Sequence, residues 1–314
     1  MTAVGTRSPA VAKRSRKSPL RAQRTVGYLF ILPTVIFFVA FVAWPLGHSI
    51  YLSFTTWAGF GHPVFVGDKN FVRLFHDPVF KRSLLITIVF TTVTTVLQTI
   101  LPMLLAVLVN ARWKRSGVVF RTIFFLPGII SFVVTGILWQ LIYDPNLGSL
   151  NKILGSLGLT SLQNQWLGNE HTVLPSIILV SLWQSLGLYM LIFFAGLQGI
   201  DPVLYEAASI DGADAWQRFR HITVPQLRTV TAVVITLNMI NGLKTFDIIY
   251  VLSHGGPNHA SEVLGTYLYG LAFGSTAGSV PQIGYATAIS MVVLVLCVLA
   301  VLVQFRVTAR SNRV

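Results

Sequence analysis

Six long apolar stretches, almost free of charge, constrain this chain more than any other feature. They run from about Val26 to Leu46, within Ser83–Ala111, from Thr122 to Tyr143, within Thr172–Ile200, from about Thr229 to Leu252 and from about Gln282 to Phe305. A helix needs roughly 20 apolar residues to cross a bilayer core. No water is available there to pair with backbone N–H and C=O groups, so each stretch must satisfy its own. The expected fold class is all-α: a polytopic membrane protein of about six transmembrane helices. Charged residues make up only 11% of the chain, against about a quarter in a soluble domain. Pro33, Pro102 and Pro175 fall inside or near these spans, where neighbouring helices re-satisfy the groups they free.

No charge occurs between Val263 and Phe305, a region long enough to hide a seventh span. The Gly-, Ser- and Pro-containing stretch 274–284 divides it. Leu264–Phe273 covers only about 15 Å as a helix. A short interfacial or re-entrant helix is therefore expected there.

The net charge of +13 sits in short segments between the apolar runs and orients the chain. One side holds Arg7, Lys13, Arg14, Arg16, Lys17, Arg21 and Arg24, then Arg112, Lys114, Arg115 and Arg121, then Arg218, Arg220 and Arg228, then Arg306, Arg310 and Arg313. The other holds Lys69, Arg73, Lys81, Arg82 and Lys152. Both termini are expected in the cytoplasm. A basic groove with interleaved aromatics, as nucleic-acid binding would want, is not visible. Val26–Leu46 is too long for a signal-peptide core, so it is read as a retained first helix. The domain reading is a basic, disordered tail over 1–25, a membrane domain over 26–307 and a short tail over 308–314.

A cytoplasmic segment over 201–227 carries the most functional information. Asp201 suits an N-cap and Pro202 the first helical position. Glu206, Ala207 and Ala208 follow, then Asp211, Gly212 and Ala213. Gly212 suits a left-handed helix end. Asp211 or Asp214 caps a second helix carrying Trp216, Phe219 and Ile222, which Val224-Pro225 closes. Such a helical hairpin suits insertion into a partner's groove. On the residues alone, an ordinary structured loop is the standing alternative.

The run Glu206-Ala207-Ala208-x-x-Asp211-Gly212-Ala213, followed by Phe219, Ile222, Pro225 and Leu227, resembles the EAA loop of binding-protein-dependent ABC permeases. Phe120-Arg121-Thr122 through Pro127 resembles the start of that family's third span. Phe246-Asp247-Ile248-Ile249-Tyr250-Val251-Leu252 and Gly255-Gly256-Pro257 resemble its sugar branch. The resemblance covers about Tyr28 to Phe305. The short loop from about Ser49 to Arg82 resembles compact sugar permeases, not the maltose member with its large external domain. Arg228 stands where many relatives have proline.

The resemblance implies a type I ABC importer permease fold in a bacterial-type inner membrane. It implies a second homologous permease subunit, a cytoplasmic ATPase dimer and an extracytoplasmic solute-binding protein. The loop centred on Gly212 would dock in the ATPase: Glu206 and Asp211 fix it, and Ala207 and Ala208 permit close approach. The chain has no Gly-Lys dipeptide and so no phosphate loop. No cofactor is expected on it, with ATP and Mg held by the ATPase. Competing readings are a permease for a glycerol phosphate or polyamine, or a membrane glycosyltransferase.

Ionisable and amide groups inside spans mark candidate solute contacts. Lys244 and Asp247, three apart, can pair along one helix face, and Asn238 and Asn241 extend a similar face inward. Together they line a solute path, or the charged pair is structural. Trp183, Gln184 and Tyr189 are further candidates in the fourth span, as are Trp139, Gln140 and Tyr143 in the third. His254 and His259 flank an outer Gly-Gly-Pro-Asn turn but lack the further ligands a metal wants. Cys297 is alone, so no disulfide forms within the chain.

Overall fold

The computed structural model describes residues 19–112, 117–274 and 280–311. Lys114, Arg115, Arg313 and the basic residues up to Lys17 lie outside them. The first compact unit, up to Tyr51, is a helical rod. It consists of α1 (Pro19–Phe38), a π turn (Val39–Ala43) and most of α2 (Trp44–Ser53). The helix thus begins at Pro19, ahead of the expected Val26, so residues 19–25 are helical. Its apolar stretch from Phe30 to Ser53 is long enough to cross a bilayer core.

The second unit runs from Leu52 onward. Two short antiparallel strands open it, β1 (Thr55–Thr56) and β2 (Val64–Phe65), with Thr55 opposite Phe65. The amide of Asn70 pins the hairpin by donating to the Ser53 and Thr55 carbonyls at 2.9 and 2.8 Å. Asn70 lies on α3 (Lys69–His76). The long α4 (Pro78–Arg112) follows, then α5 (Gly117–Ile129) and α6 (Phe132–Tyr143). The segment after α6 holds α7 (Ser149–Ser156). The remaining helices are α8 (Val173–Gln198), α9 (Pro202–Ile210), α10 (Ala215–Arg218), α11 (Val224–Gln226), α12 (Arg228–Leu243), α13 (Asp247–Ser253), α14 (Leu264–Phe273) and α15 (Ile283–Ser311).

Four helices among the described residues are long and apolar enough to cross a membrane, and two bent pairs raise the total to six. The third and fifth expected spans are those pairs. α5 and α6 meet at 97°, and α12 and α13 at 46°. The first break follows Pro127-Gly128. Ser131 then caps α6, its hydroxyl accepting from the Val134 N–H. The buried Gln184 donates to the freed carbonyl of Ile130 at 2.8 Å. Helix α14 matches the short, non-spanning helix expected over Leu264–Phe273.

Both π turns precede a proline at the same spacing: Val39–Ala43 before Pro45, and Phe219–Thr223 before Pro225. A proline ring meets the carbonyl four residues back in a regular helix. Widening the preceding turn relieves that clash without ending the helix. This corrects the expectation that Val224-Pro225 closes the second loop helix: Pro225 begins a further turn, and the chain runs through α11 into α12.

Small residues let the helices close on one another, as membrane packing favours. A Cβ added at Gly187 on α8 would lie 2.0 Å from the Phe124 carbonyl oxygen of α5. One added at Gly242 on α12 would meet Thr91 of α4 at 2.9 Å. Two apolar cores result. One gathers Phe90, Val173, Ile177, Val180, Ile249 and Val263. The other gathers Ala106, Val109, Met190, Phe193, Leu227 and Val234.

Candidate functional site: a polar cavity and a helical hairpin

A cavity of about 270 Å³ lies between these cores, its wall largely apolar (Phe90, Phe132, Ile248) with polar side chains set into it. Thr94 and Gln98 come from α4, Ser181, Ser185 and Tyr189 from α8, and Asn238 and Asn241 from α12. Lys244, Thr245 and Phe246 come from the break before α13, and Asp247 from its first turn. The break matters because it ends the backbone ladder inside an apolar span, and irregular backbone at that depth is tolerated where it lines a cavity.

Asn238 is the most unusual group in the site. It is 2% exposed, and neither its amide nitrogen nor its oxygen has a partner. An unmade hydrogen bond costs about 1–3 kcal/mol per buried group. The neighbouring Ser181 hydroxyl is likewise buried without a partner. By contrast, Gln98 donates to the Ser181 carbonyl at 3.2 Å, and Ser185 donates to the same oxygen at 2.7 Å. The wall therefore offers an unsatisfied donor and acceptor to whatever enters.

Of the residues picked from the sequence, Asn238, Asn241, Lys244, Asp247 and Tyr189 come together in this cavity. The pairing expected of Lys244 and Asp247 along one helix face does not form. Lys244 is the C-cap of α12 and Asp247 opens α13, no ion pair joins them, and both are exposed. The chain turns between them, so the i,i+3 geometry of a continuous helix is lost.

Trp183 and Gln184 are not among the lining residues. Gln184 holds the α5–α6 break, and Trp183 packs edge-to-face on Trp139 at 5.6 Å. Gln140 donates to the Val251 carbonyl at 2.5 Å, and Tyr143 to the Ser176 carbonyl at 3.2 Å. Gln98, Ser181 and Ser185 escaped the sequence reading, although Ser83, Thr87, Thr91, Thr94 and Gln98 recur at steps of three and four on α4 and are all buried, a polar stripe that periodicity could have found.

The hairpin over 201–227 is built from its caps. Asp201 accepts from the Val203 N–H at 2.9 Å, ahead of Pro202. Gly212 takes φ +77°, and the Ala213 N–H returns to the Ala208 carbonyl at 2.9 Å. Asp214 rather than Asp211 caps the second helix, in a reciprocal box with Gln217 at 2.7 and 2.8 Å. Asp211 is instead the C-cap of α9. Arg218 ties the two arms by donating to the Ser209 hydroxyl at 3.0 Å.

Glu206, Ala207, Asp211 and Gly212 are exposed at the hairpin's tip, with Ala208, Ala213, Phe219 and Ile222 half-buried behind them. Ile210 and Trp216 are 87% and 63% exposed. Pro225 is exposed at the base. A rigid hairpin carrying this much bare apolar surface is shaped for a protein partner.

Helices broken around a cavity set with polar side chains, together with an exposed, tightly capped hairpin, define a membrane transport subunit. The chain belongs to the family described as the inner membrane component of binding-protein-dependent transport systems, whose profile matches residues 99–313. It is 38% identical to the probable ABC transporter permease protein YurN of Bacillus subtilis over 90% of this chain and 96% of that one. It is 34% identical to the arabinooligosaccharides transport system permease protein AraP of Bacillus subtilis over 96% and 94%. A bacterial ABC transporter involved in importing the acidic polysaccharide alginate has a chain that superposes with a TM-score of 0.79 at 27% identity. That match covers 92% of this chain and 96% of the other.

Proposed function

We propose that this chain is the permease subunit of an ATP-driven sugar importer in a bacterial-type inner membrane. The observation that carries the reading is the cavity around Asn238, with donors and acceptors from three spans set into a largely apolar wall and a helix break lining it. Amide and hydroxyl groups suit the mixed donor–acceptor character of sugar hydroxyls. AraP, named for arabinooligosaccharides, and the alginate importer are relatives that support a saccharide.

In this reading a second permease faces the exposed side of the cavity, where Asn241, Lys244 and Asp247 lie. A cytoplasmic ATPase dimer receives the hairpin tip around Gly212 and holds ATP and Mg, and this chain holds no cofactor of its own. An extracytoplasmic binding protein delivers the solute. ATPase closure moves the hairpin as a rigid body, because its caps and the Arg218–Ser209 tie leave it little internal freedom. The motion passes through α11 into α12, which carries Asn238, and alternates access to the cavity.

The test is purification from native membranes followed by reconstitution with the co-purified subunits. The expected result is a second permease and an ATPase in the complex, with hydrolysis stimulated by a saccharide-loaded binding protein. A chain that transports solute alone, without ATP, would overturn the proposal.

A further inference from the structure

Four aromatic side chains stack in series along α13 and α14. Phe246, Tyr250 and His254 stand four residues apart, at the N-cap, the middle and the C-cap of α13. The Tyr250 ring lies 5.0 Å from Phe246 and 4.8 Å from His254. Tyr269 of α14 closes against them, 4.9 Å from Phe246 and 5.0 Å from Tyr250. None of the four is fully buried, and neither the Tyr250 nor the Tyr269 hydroxyl has a hydrogen-bond partner among the described residues.

The ends of this ladder matter most. Phe246 lines the cavity around Asn238 with Asn241 and Asp247. His254 lines a second cavity of about 410 Å³ at the opposite end of α13, with Asn258, His259 and Glu262. That end lies away from Arg228, so charge orientation puts it on the extracytoplasmic side. The ring series thus has one end at each cavity, with Tyr250 and Tyr269 between those ends and lining neither. His254, Asn258 and His259 all hold positive φ there, which non-glycine residues rarely adopt.

We propose that Phe246, Tyr250, Tyr269 and His254 form a stacking track for sugar rings, so that the solute is an oligosaccharide able to touch both cavities. The inference rests on the sugar reading above and narrows it. A sugar ring presents apolar C–H faces and a rim of hydroxyls. Aromatic faces take the former, and the free tyrosine hydroxyls and the imidazole take the latter. A monosaccharide needs only the inner cavity. A continuous ladder between two polar sites suits a chain of linked rings.

The experiment uses the complete transporter in proteoliposomes. Uptake is measured for neutral arabino-, malto- and cello-oligosaccharides, from each monosaccharide to the pentasaccharide. Tyr250→Leu and Tyr269→Leu are compared with Tyr250→Phe, which keeps the ring. The maximal rate for the longest transported oligosaccharide is expected to fall about tenfold in each leucine variant, with the disaccharide changing by less than about twofold, and Tyr250→Phe retaining the ratio. Equal losses at every length, no loss, uptake of monosaccharides alone, or failure of the leucine variants to co-purify with the second permease would each overturn the track. The last outcome would make the ladder an assembly surface. If no saccharide of any length accumulates, the sugar reading itself falls.

Discussion

The Gln184 amide of α8 donates to the Ile130 carbonyl at 2.8 Å, inside the 97° break between α5 and α6. A polar side chain on one span thereby satisfies backbone that another span cannot. Gln184→Leu keeps the volume but strands the Ile130 oxygen in an apolar setting. It is expected to destabilise the protein by about 1–3 kcal/mol, read as a lower thermal midpoint in detergent. An unchanged midpoint would mean that another group replaces the amide.

At the hairpin tip, no atom lies within 4 Å of a Cβ added at Gly212, whose φ is +77°. A Cβ there meets nothing among the described residues and costs only the left-handed backbone, about 1 kcal/mol. Gly212→Asp should therefore leave the thermal midpoint nearly unmoved and still reach the membrane. Under the proposed coupling role, solute-stimulated ATP hydrolysis should nevertheless fall about tenfold or more, because the charge would enter the interface with the ATPase. Normal stimulation in this variant would remove the tip from coupling.

How much of this the sequence disclosed depends on which signal each feature leaves. The spans are legible because apolar length is a direct physical requirement. The hairpin is legible because Asp201-Pro202 and Gly212 are local backbone signals. The choice between Asp211 and Asp214 as cap is not, since both stand near the turn, and the Gln217 reciprocity that decides it emerges only in three dimensions. The break at Lys244–Phe246 is also hidden: it contains neither proline nor glycine. Lys244 and Asp247 look like a helical pair until the chain turns between them. The cavity's Gln98 is the last of a polar stripe on α4, Ser83, Thr87, Thr91, Thr94 and Gln98, whose helical spacing is legible but whose burial is not.

On the outer side, Asp77 accepts from the hydroxyls of Tyr267 and Tyr285 at 2.5 and 2.6 Å. Its other oxygen caps α4 through the Val79 and Phe80 N–H groups. Arg73 stacks 3.9 Å over the Tyr285 ring and donates to Gln282 at 2.7 Å. Partial burial opposes the Asp77 charge, but the two tyrosine hydroxyls and the two backbone donors outweigh it and hold the carboxyl below its usual range. A depressed folded-state pKa contributes stability above the unfolded value that is lost as pH falls through the folded one. Asp77→Asn is therefore expected to lower the thermal midpoint at neutral pH, with the gap to the native protein closing on strong acidification. A pH series of melts on both proteins checks this, and a gap constant with pH would contradict it.

The two unpaired amide atoms of Asn238 set stability against transport. Replacing an unsatisfied buried amide with an apolar group of similar shape removes a desolvation cost rather than a bond. Asn238→Leu is expected to hold or raise the thermal midpoint of the assembled complex while cutting solute uptake about tenfold or more. A merely structural asparagine behaves in the opposite way, losing stability first and transport only as a consequence. Measuring both quantities on the same preparation separates the two. A stable variant with normal uptake would take Asn238 out of the solute path. A destabilised one would mean that a partner, such as a water or the second subunit, already satisfies the amide in the resting transporter.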